Sequence, residues 1–221
     1  MRVVLAAVAM PLVLAGCGFG GGESYRYRMT VIVDTPEGQR SGSSVIEVRG
    51  RSGGFLSPSA YVSGIKGEAV AIDLPGGKTL FALLRNRAQG YDAASVYANY
   101  AYQPVLPAAR DWRQTFQALR SQHTPAKLPE ENYPIFVTFD DPKDATSVRV
   151  IDPTDLSSLG PGLSFGGVEI AITTDPLTTG IKHRLPDFGS GTAYSKWVEQ
   201  LPYGDARRIS PNDFSREERG A

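Results

Sequence analysis

The side chains with the clearest chemistry are two histidines, His123 and His183, one cysteine, Cys17, and a run of aspartates between residues 140 and 155. Two imidazoles and one thiol are too few for a multi-histidine or cysteine-rich zinc site within one chain. A hydrolytic triad would use His183 or His123 as its base, with a serine brought up by the fold. Asp187 lies near His183, but no Gly-x-Ser-x-Gly nucleophile turn is present. A solvated histidine in the basic run Lys182-His183-Arg184 is the plainer meaning, and no residue is assigned as catalytic.

Asp140, Asp141, Asp144, Asp152 and Asp155 form the densest carboxylate run. Calcium takes six to eight oxygens from a loop of regularly spaced acids. This run lacks that spacing and has Lys143 and Arg149 among the acids. Aspartates in such contexts cap turns and helix starts, so a turn cluster is expected, and neither metal nor cofactor is implied.

Thr178-Thr179-Gly180-Ile181-Lys182-His183-Arg184 is the most site-like stretch. If a helix opens at Thr178 or Thr179, its first N–H groups are free to hold a phosphate or carboxylate, with three basic side chains following. Thr178, Thr179, Lys182, His183 and Arg184 would then form an anion site. The competing account is an N-cap threonine, with cations suited to the C-terminal end of the helix dipole. Tyr91, Tyr97, Tyr100 and Tyr102, with Trp112, would line a glycan or peptide groove, or else pack as core with wet hydroxyls; the second is the commoner use of tyrosine.

The positions of these residues depend on elements that the pattern predicts. Tyr25, Tyr27, Met29, Val31 and Val33 alternate with polar residues, which predicts a half-buried strand over 25–34. Thr35-Pro36-Glu37-Gly38 is a turn, and residues 43–49 form the hairpin partner. Residues 50–66, rich in Gly and Ser, read as a loop. A second hairpin runs over 69–73 and 79–84 around Leu74-Pro75-Gly76-Gly77. Its second arm has no polar face and is expected to be central, covered on both sides. Helices are expected over 92–103 and over 110–122, where Trp112, Phe116 and Leu119 make one stripe.

Residues 135–139 read as a short buried strand, 148–151 as strand or helical turn, and 155–159 as a short helix. Val168, Ile170 and Ile172 mark another strand over 168–173. Residues 178–185 allow a short helix, and 190–201 a longer one with Tyr194, Trp197, Val198 and Leu201 on its apolar stripe. The whole is expected to be one α+β domain over 25–203, mainly antiparallel sheet with hairpins and a few packed helices. Residues 204–221 show no apolar face and read as a polar, frayed tail.

The N-terminus has a separate character. Arg2 precedes an apolar run over residues 3–14, too short to span a bilayer as a helix and right for the core of a secretory signal. The run closes on Leu14-Ala15-Gly16-Cys17, which resembles the lipobox of bacterial lipoproteins. That resemblance implies cleavage after residue 16 and acylation, including palmitate, of Cys17. It makes residues 1–16 a signal peptide and 17–24 an acylated cysteine with a Gly-rich tether. Gly18, where an aspartate would resemble an inner-membrane retention signal, favours the outer membrane over the inner, with the body facing the periplasm.

Of the 23 basic and 23 acidic side chains, only Arg2 lies in residues 1–16, so the remainder is close to neutral. Near-neutrality gives no reason to expect nucleic acid or anionic lipid as a partner. With Cys17 acylated no thiol remains for a disulfide, and a body of this size can hold itself together by its core. Residues 41–49, 67–73, 136–139 and 174–181 resemble a family of proteobacterial envelope proteins of unknown function over roughly residues 25–186. That likeness implies a boundary and no activity. The expectation is a non-catalytic binding or scaffolding domain, lipid-anchored through Cys17, with a periplasmic protein or glycan as partner. The alternatives are a membrane-tethered hydrolase using His183 or His123 and an anion-binding module at residues 178–184.

Overall fold

The computed structural model describes residues 22–52, 61–86, 93–109, 111–189 and 191–217. The alternating stretch forms β1 (Glu23–Thr35), whose Tyr25, Tyr27, Met29, Val31 and Val33 are all buried. A two-residue turn joins it to β2 (Gly38–Ser52), with Thr35 opposite Gly38 and Glu23 opposite Gly50. β3 (Tyr61–Glu68) pairs with the far end of β2, so the predicted loop over 50–66 is strand at both its ends. Register with β2, and not local composition, sets these end residues in strand.

Ala69 alone separates β3 from β4 (Val70–Asp73), where the chain changes sheets. β4 and β5 (Thr79–Ala82) form the expected hairpin around Leu74-Pro75-Gly76-Gly77. β7 (Phe136–Phe139) and β8 (Val148–Ile151) complete a four-stranded antiparallel sheet, ordered β4-β5-β7-β8. The large sheet gains β6 (Ala126–Lys127), β9 (Ser164–Thr173) and β10 (Ser215–Arg216), ordered β10-β3-β2-β1-β9-β6 and antiparallel throughout. Among the described residues, two antiparallel sheets with four helices give the α+β architecture that the pattern predicts.

One core lies between the inner face of the large sheet and one face of the small one, joining Tyr27, Met29, Ile46 and Ile170 to Ile72, Leu80 and Phe136. Gly42 permits the approach: a Cβ there would stand 2.3 Å from the carbonyl oxygen of Ala71 on β4. Gly42→Ala would therefore need the two strands to part. α1 (Tyr97–Tyr102) and α2 (Trp112–Arg120) join this core, α1 facing β9 and α2 facing β1. Asp111 caps α2 by accepting from the N–H groups of Arg113 and Gln114, and Phe116 meets the Tyr25 ring edge-on at 4.7 Å.

The opposite face of the small sheet builds a second core. Phe81, Val137 and Phe139 pack there against Ile181, Tyr194, Ile209 and Phe214 from the C-terminal quarter. β5 is thus covered on both sides, as its unbroken apolar run requires. α3 (Ala193–Gln200) lays Tyr194, Trp197 and Val198 on this core. α4 (Pro211–Phe214) and β10 follow, with Phe214 fully buried and Ser215 opposite Glu68 of β3.

Residues 204–217 are therefore not the frayed tail read from their polarity; they close the second core. The other corrections are local. Glu23 and Ser24, assigned to the tether, are paired strand residues, while residues 17–21 lie outside the described ones. Residues 155–159 form turns and an Asp152–Asp155 bridge instead of a helix. Asp152 and Asp155 bind the N–H groups two residues on, at Thr154 and Ser157, which competes with helix formation. Among the described residues no helix is long and apolar enough to cross a membrane.

The buried tyrosines differ in one respect. Tyr27 donates to the Ala94 carbonyl at 2.6 Å and Tyr102 to the Ile170 carbonyl at 3.0 Å. The Tyr97 hydroxyl is equally buried and has no hydrogen-bond partner among the described residues. An unmet buried hydroxyl costs about 1–3 kcal/mol. Tyr97→Phe is expected to raise stability by about 1 kcal/mol in denaturant unfolding; a loss of that size would mean that the hydroxyl has a partner such as water.

Candidate functional site

The predicted anion site has a different anatomy from the one its sequence suggested. No helix opens at Thr178 or Thr179. A 3-10 turn spans Ile181–Arg184, preceded by Gly180 at φ 111°, a conformation that an L side chain adopts with strain. Thr178 accepts the Val45 N–H at 2.9 Å, capping a β2 donor that lies beyond the reach of β3. Thr179 is exposed.

The two N–H groups at the start of the turn do hold an anion, and it belongs to the protein. Gly180 N donates to Glu68 Oε1 at 3.1 Å and Ile181 N to Glu68 Oε2 at 2.9 Å. Glu68, at the end of β3, is only 7% exposed. The cations are committed as well. Lys182 pairs with Glu217 at 2.6 Å, which raises its pKa and lowers that of Glu217. Arg184 pairs with Asp73 and reaches the Thr79 hydroxyl at 3.3 Å. His183 is exposed.

This stretch therefore tethers the chain after β9 to the edges of both sheets, and the donors that an external phosphate would need are already taken. Phosphate and chloride at matched ionic strength are expected to shift the melting temperature equally. A phosphate-specific rise, reduced by Lys182→Ala/Arg184→Ala, would restore the anion site.

Upstream, Asp175 fixes the same connection to the outer face of β1. It pairs with Arg28, accepts from the Thr173 hydroxyl at 2.7 Å, and offers its carbonyl to Arg26 at 3.1 Å. The Thr173 hydroxyl and the Arg28 guanidinium hold its carboxyl below the ordinary aspartate value. Beside it, Glu47 is buried between Arg26, at 2.8 Å, and Arg49. Burial alone would raise its pKa, but the two guanidinium hydrogen bonds outweigh that and hold it low.

The remaining sequence candidates separate. Both histidines are exposed, His123 after α2 and His183 in the 3-10 turn, and no hydrogen bond joins either ring to a hydroxyl or carboxylate among the described residues. The aspartate run serves turns: Asp141 caps Lys143, Asp144 caps Thr146, and Asp140 pairs with Arg149 at 2.9 Å. Among the described residues no three His, Cys, Asp or Glu side chains are grouped as metal ligands. Tyr97 and Tyr102 are core residues, Tyr100 and Trp112 pack at its margin, and Tyr91 lies outside the described residues, as does Cys17.

One concavity was not legible in the sequence. It has a volume of about 180 Å³, with Glu130, Glu131 and Asp152 around an apolar floor that includes Tyr133, Phe136 and Ile151. Its parts come from two separate stretches, 130–136 and 150–153, that β7–β8 pairing brings together, so no local pattern marks it. Its carboxylates give it negative character.

Compared with known proteins, the chain matches no family model, no curated protein and no solved structure, so a functional reading rests on its own residues.

Proposed function

We propose that this chain is a lipid-anchored protein of the bacterial envelope whose body is a non-catalytic binding or scaffolding domain facing the periplasm. The observation that carries this reading is Leu14-Ala15-Gly16-Cys17 at the end of the apolar run over residues 3–14, with Arg2 ahead of it. Ordered strand begins at Glu23, six residues after Cys17, so a short tether is consistent with the anchor. The polar groups that look most like a site, Thr178, Lys182 and Arg184, are engaged in holding the fold, which weighs against the anion-binding alternative.

One acyl chain binds a membrane marginally and reversibly, whereas two or more hold durably, at about 0.8 kcal/mol per buried methylene. Cys17→Ser is therefore expected to abolish incorporation of labelled palmitate and to leave an uncleaved precursor. The parent should be cut before Cys17 and gain the mass of its acyl chains. Equal labelling of variant and parent overturns the anchor.

A further inference from the structure

We propose that the end of the large sheet from which the chain departs toward Cys17 is a membrane-facing surface that binds anionic phospholipid headgroups. This rests on the lipid anchor proposed above. The near-zero net charge conceals an uneven distribution. On the outer face of the sheet, strand register sets Arg26 beside Glu47 and Glu47 beside Lys66. The next rung on that face places Arg49 between Ser24 and Gly64, and the one after sets Arg51 opposite Val62. Arg120, at the end of α2, reaches the same end from the core side. Its Nη1 lies 3.0 Å from the Glu23 carboxylate, and its Nε donates to the Ser24 carbonyl at 2.9 Å.

Five cationic side chains, Arg26, Arg49, Arg51, Lys66 and Arg120, thus surround the start of β1 against two carboxylates, Glu23 and Glu47. Glu47 is buried between Arg26 and Arg49, so its charge is turned toward them and away from water. The adjoining pairs Arg28–Asp175 and Lys182–Glu217 are neutral as units. Arg49 and Arg51 are exposed.

The other end of the sheet has the opposite character. Asp34 and Glu37 sit at the β1–β2 turn with Arg40. The acidic concavity is on that side too: its Tyr133 ring packs 5.3 Å from Phe165, which pairs with Val33 near that turn. The length of β1 separates the two poles, roughly 40 Å at ~3.4 Å per residue.

Charge complementarity and chain length together select a lipid surface as the occupant. The six residues from Cys17 to Glu23 can span at most about 20 Å when fully extended. An acylated Cys17 therefore holds the basic pole within about two to three Debye lengths of the headgroups at physiological salt. Each Lys or Arg brought to an anionic surface is worth about fivefold in partition. The inverted orientation would bring the acidic pole against the anionic surface, so anchor and field favour one orientation, with the concavity pointing into the periplasm.

The test uses the full chain as purified from membranes, reconstituted into vesicles of phosphatidylglycerol plus phosphatidylcholine or of phosphatidylcholine alone. Amine acylation by a water-soluble reagent is read residue by residue, with Lys66 as reporter and Lys143 as reference. Lys66 is expected to react at least about threefold more slowly on anionic vesicles. The protection should vanish near 1 M salt, where the Debye length is ~3 Å. Arg51→Glu should relieve it, whereas Arg40→Glu, the same charge change at the opposite pole, should not. Intact mass reads the anchor separately: protein without acyl mass overturns the anchor and this placement with it. Acylated protein whose Lys66 reacts equally on both vesicles overturns the membrane-facing pole alone.

Discussion

A chain ending at Tyr203 is expected to lose its cooperative unfolding transition. The missing residues include Ile209 and Phe214, respectively 3% and 0% exposed, and their loss uncovers Phe81, Phe139 and Phe188 together. It also removes the acceptors for Ala69 N and Leu84 N, the carbonyls of Phe214 and Asp213 at 2.7 and 2.8 Å. Phe214→Ala alone should cost about 3–5 kcal/mol, because the ring is enclosed by three aromatic neighbours with little freedom to collapse. For a domain of this size that lowers the melting temperature by about 10 °C. A typical domain has about 5–15 kcal/mol in all, so removing the whole segment should exhaust most of it. Circular dichroism melts of parent, Phe214→Ala and the truncated chain check this, and limited proteolysis should find 204–217 protected in the parent. A truncated chain that melts as the parent does would show that the segment only rests on the surface.

The polarity of residues 204–217 conceals their packing. Their two buried apolar side chains sit five apart, so no helical or strand period registers. The signal present was a capping pattern. Ser210 is the N-cap, Pro211 the first helical residue, and Asp213 closes a capping box with the Ser210 N–H at 2.7 Å. Ile209 and Phe214 then occupy the positions of a hydrophobic staple, immediately before the cap and four residues after it. A motif of six residues specifies this element where a moment over eleven or more cannot.

Hairpins were legible for the opposite reason. β1 repeats its alternation over the nine residues from Tyr25 to Val33, and turn residues stand between it and its partner, so local and tertiary preferences agree. At residues 178–184 they do not agree. Thr178 has the right chemistry to start a helix, yet its hydroxyl serves Val45, and the waiting N–H groups belong to Glu68, 112 and 113 residues away in sequence. A carboxylate supplied from that distance leaves no local trace. The basic pole is hidden in the same manner, since its cations come from β1, β2, β3 and α2 and only strand register gathers them.

Replacing Arg85 by Met should destabilise the protein by about 3–5 kcal/mol near neutral pH, through the carboxylate left behind. Arg85 Nε stands 3.5 Å from Asp213 Oδ1, and its Nη2 donates to the Ala206 carbonyl at 2.9 Å. The Asp213 side chain is fully buried, so its partner and the Ser210 hydrogen bonds are what offset its desolvation. Burial nevertheless prevails and keeps the Asp213 carboxyl above its ordinary value, against the pull of Arg85 and Ser210. An acid raised by folding favours the native state most below its unfolded value, and that contribution is lost as pH rises through the folded value.

Without Arg85 the raise must grow, so Arg85→Met should recover relative to the parent on acidification. The recovery is at most about 1.4 kcal/mol per pH unit, between the raised folded value and the unfolded one near 4. Asp213→Asn keeps an oxygen for the Ser210 N–H while removing the charge, and it should abolish that pH dependence. Combined with Arg85→Met it should cost less than the two single changes added, because no buried charge is then unpaired. Urea unfolding of the four proteins at pH 8 and pH 5 measures all of this. A penalty for Arg85→Met that is the same at both pH values would show that Arg85 acts through its contact with Ala206 and its packing, and not through the charge on Asp213.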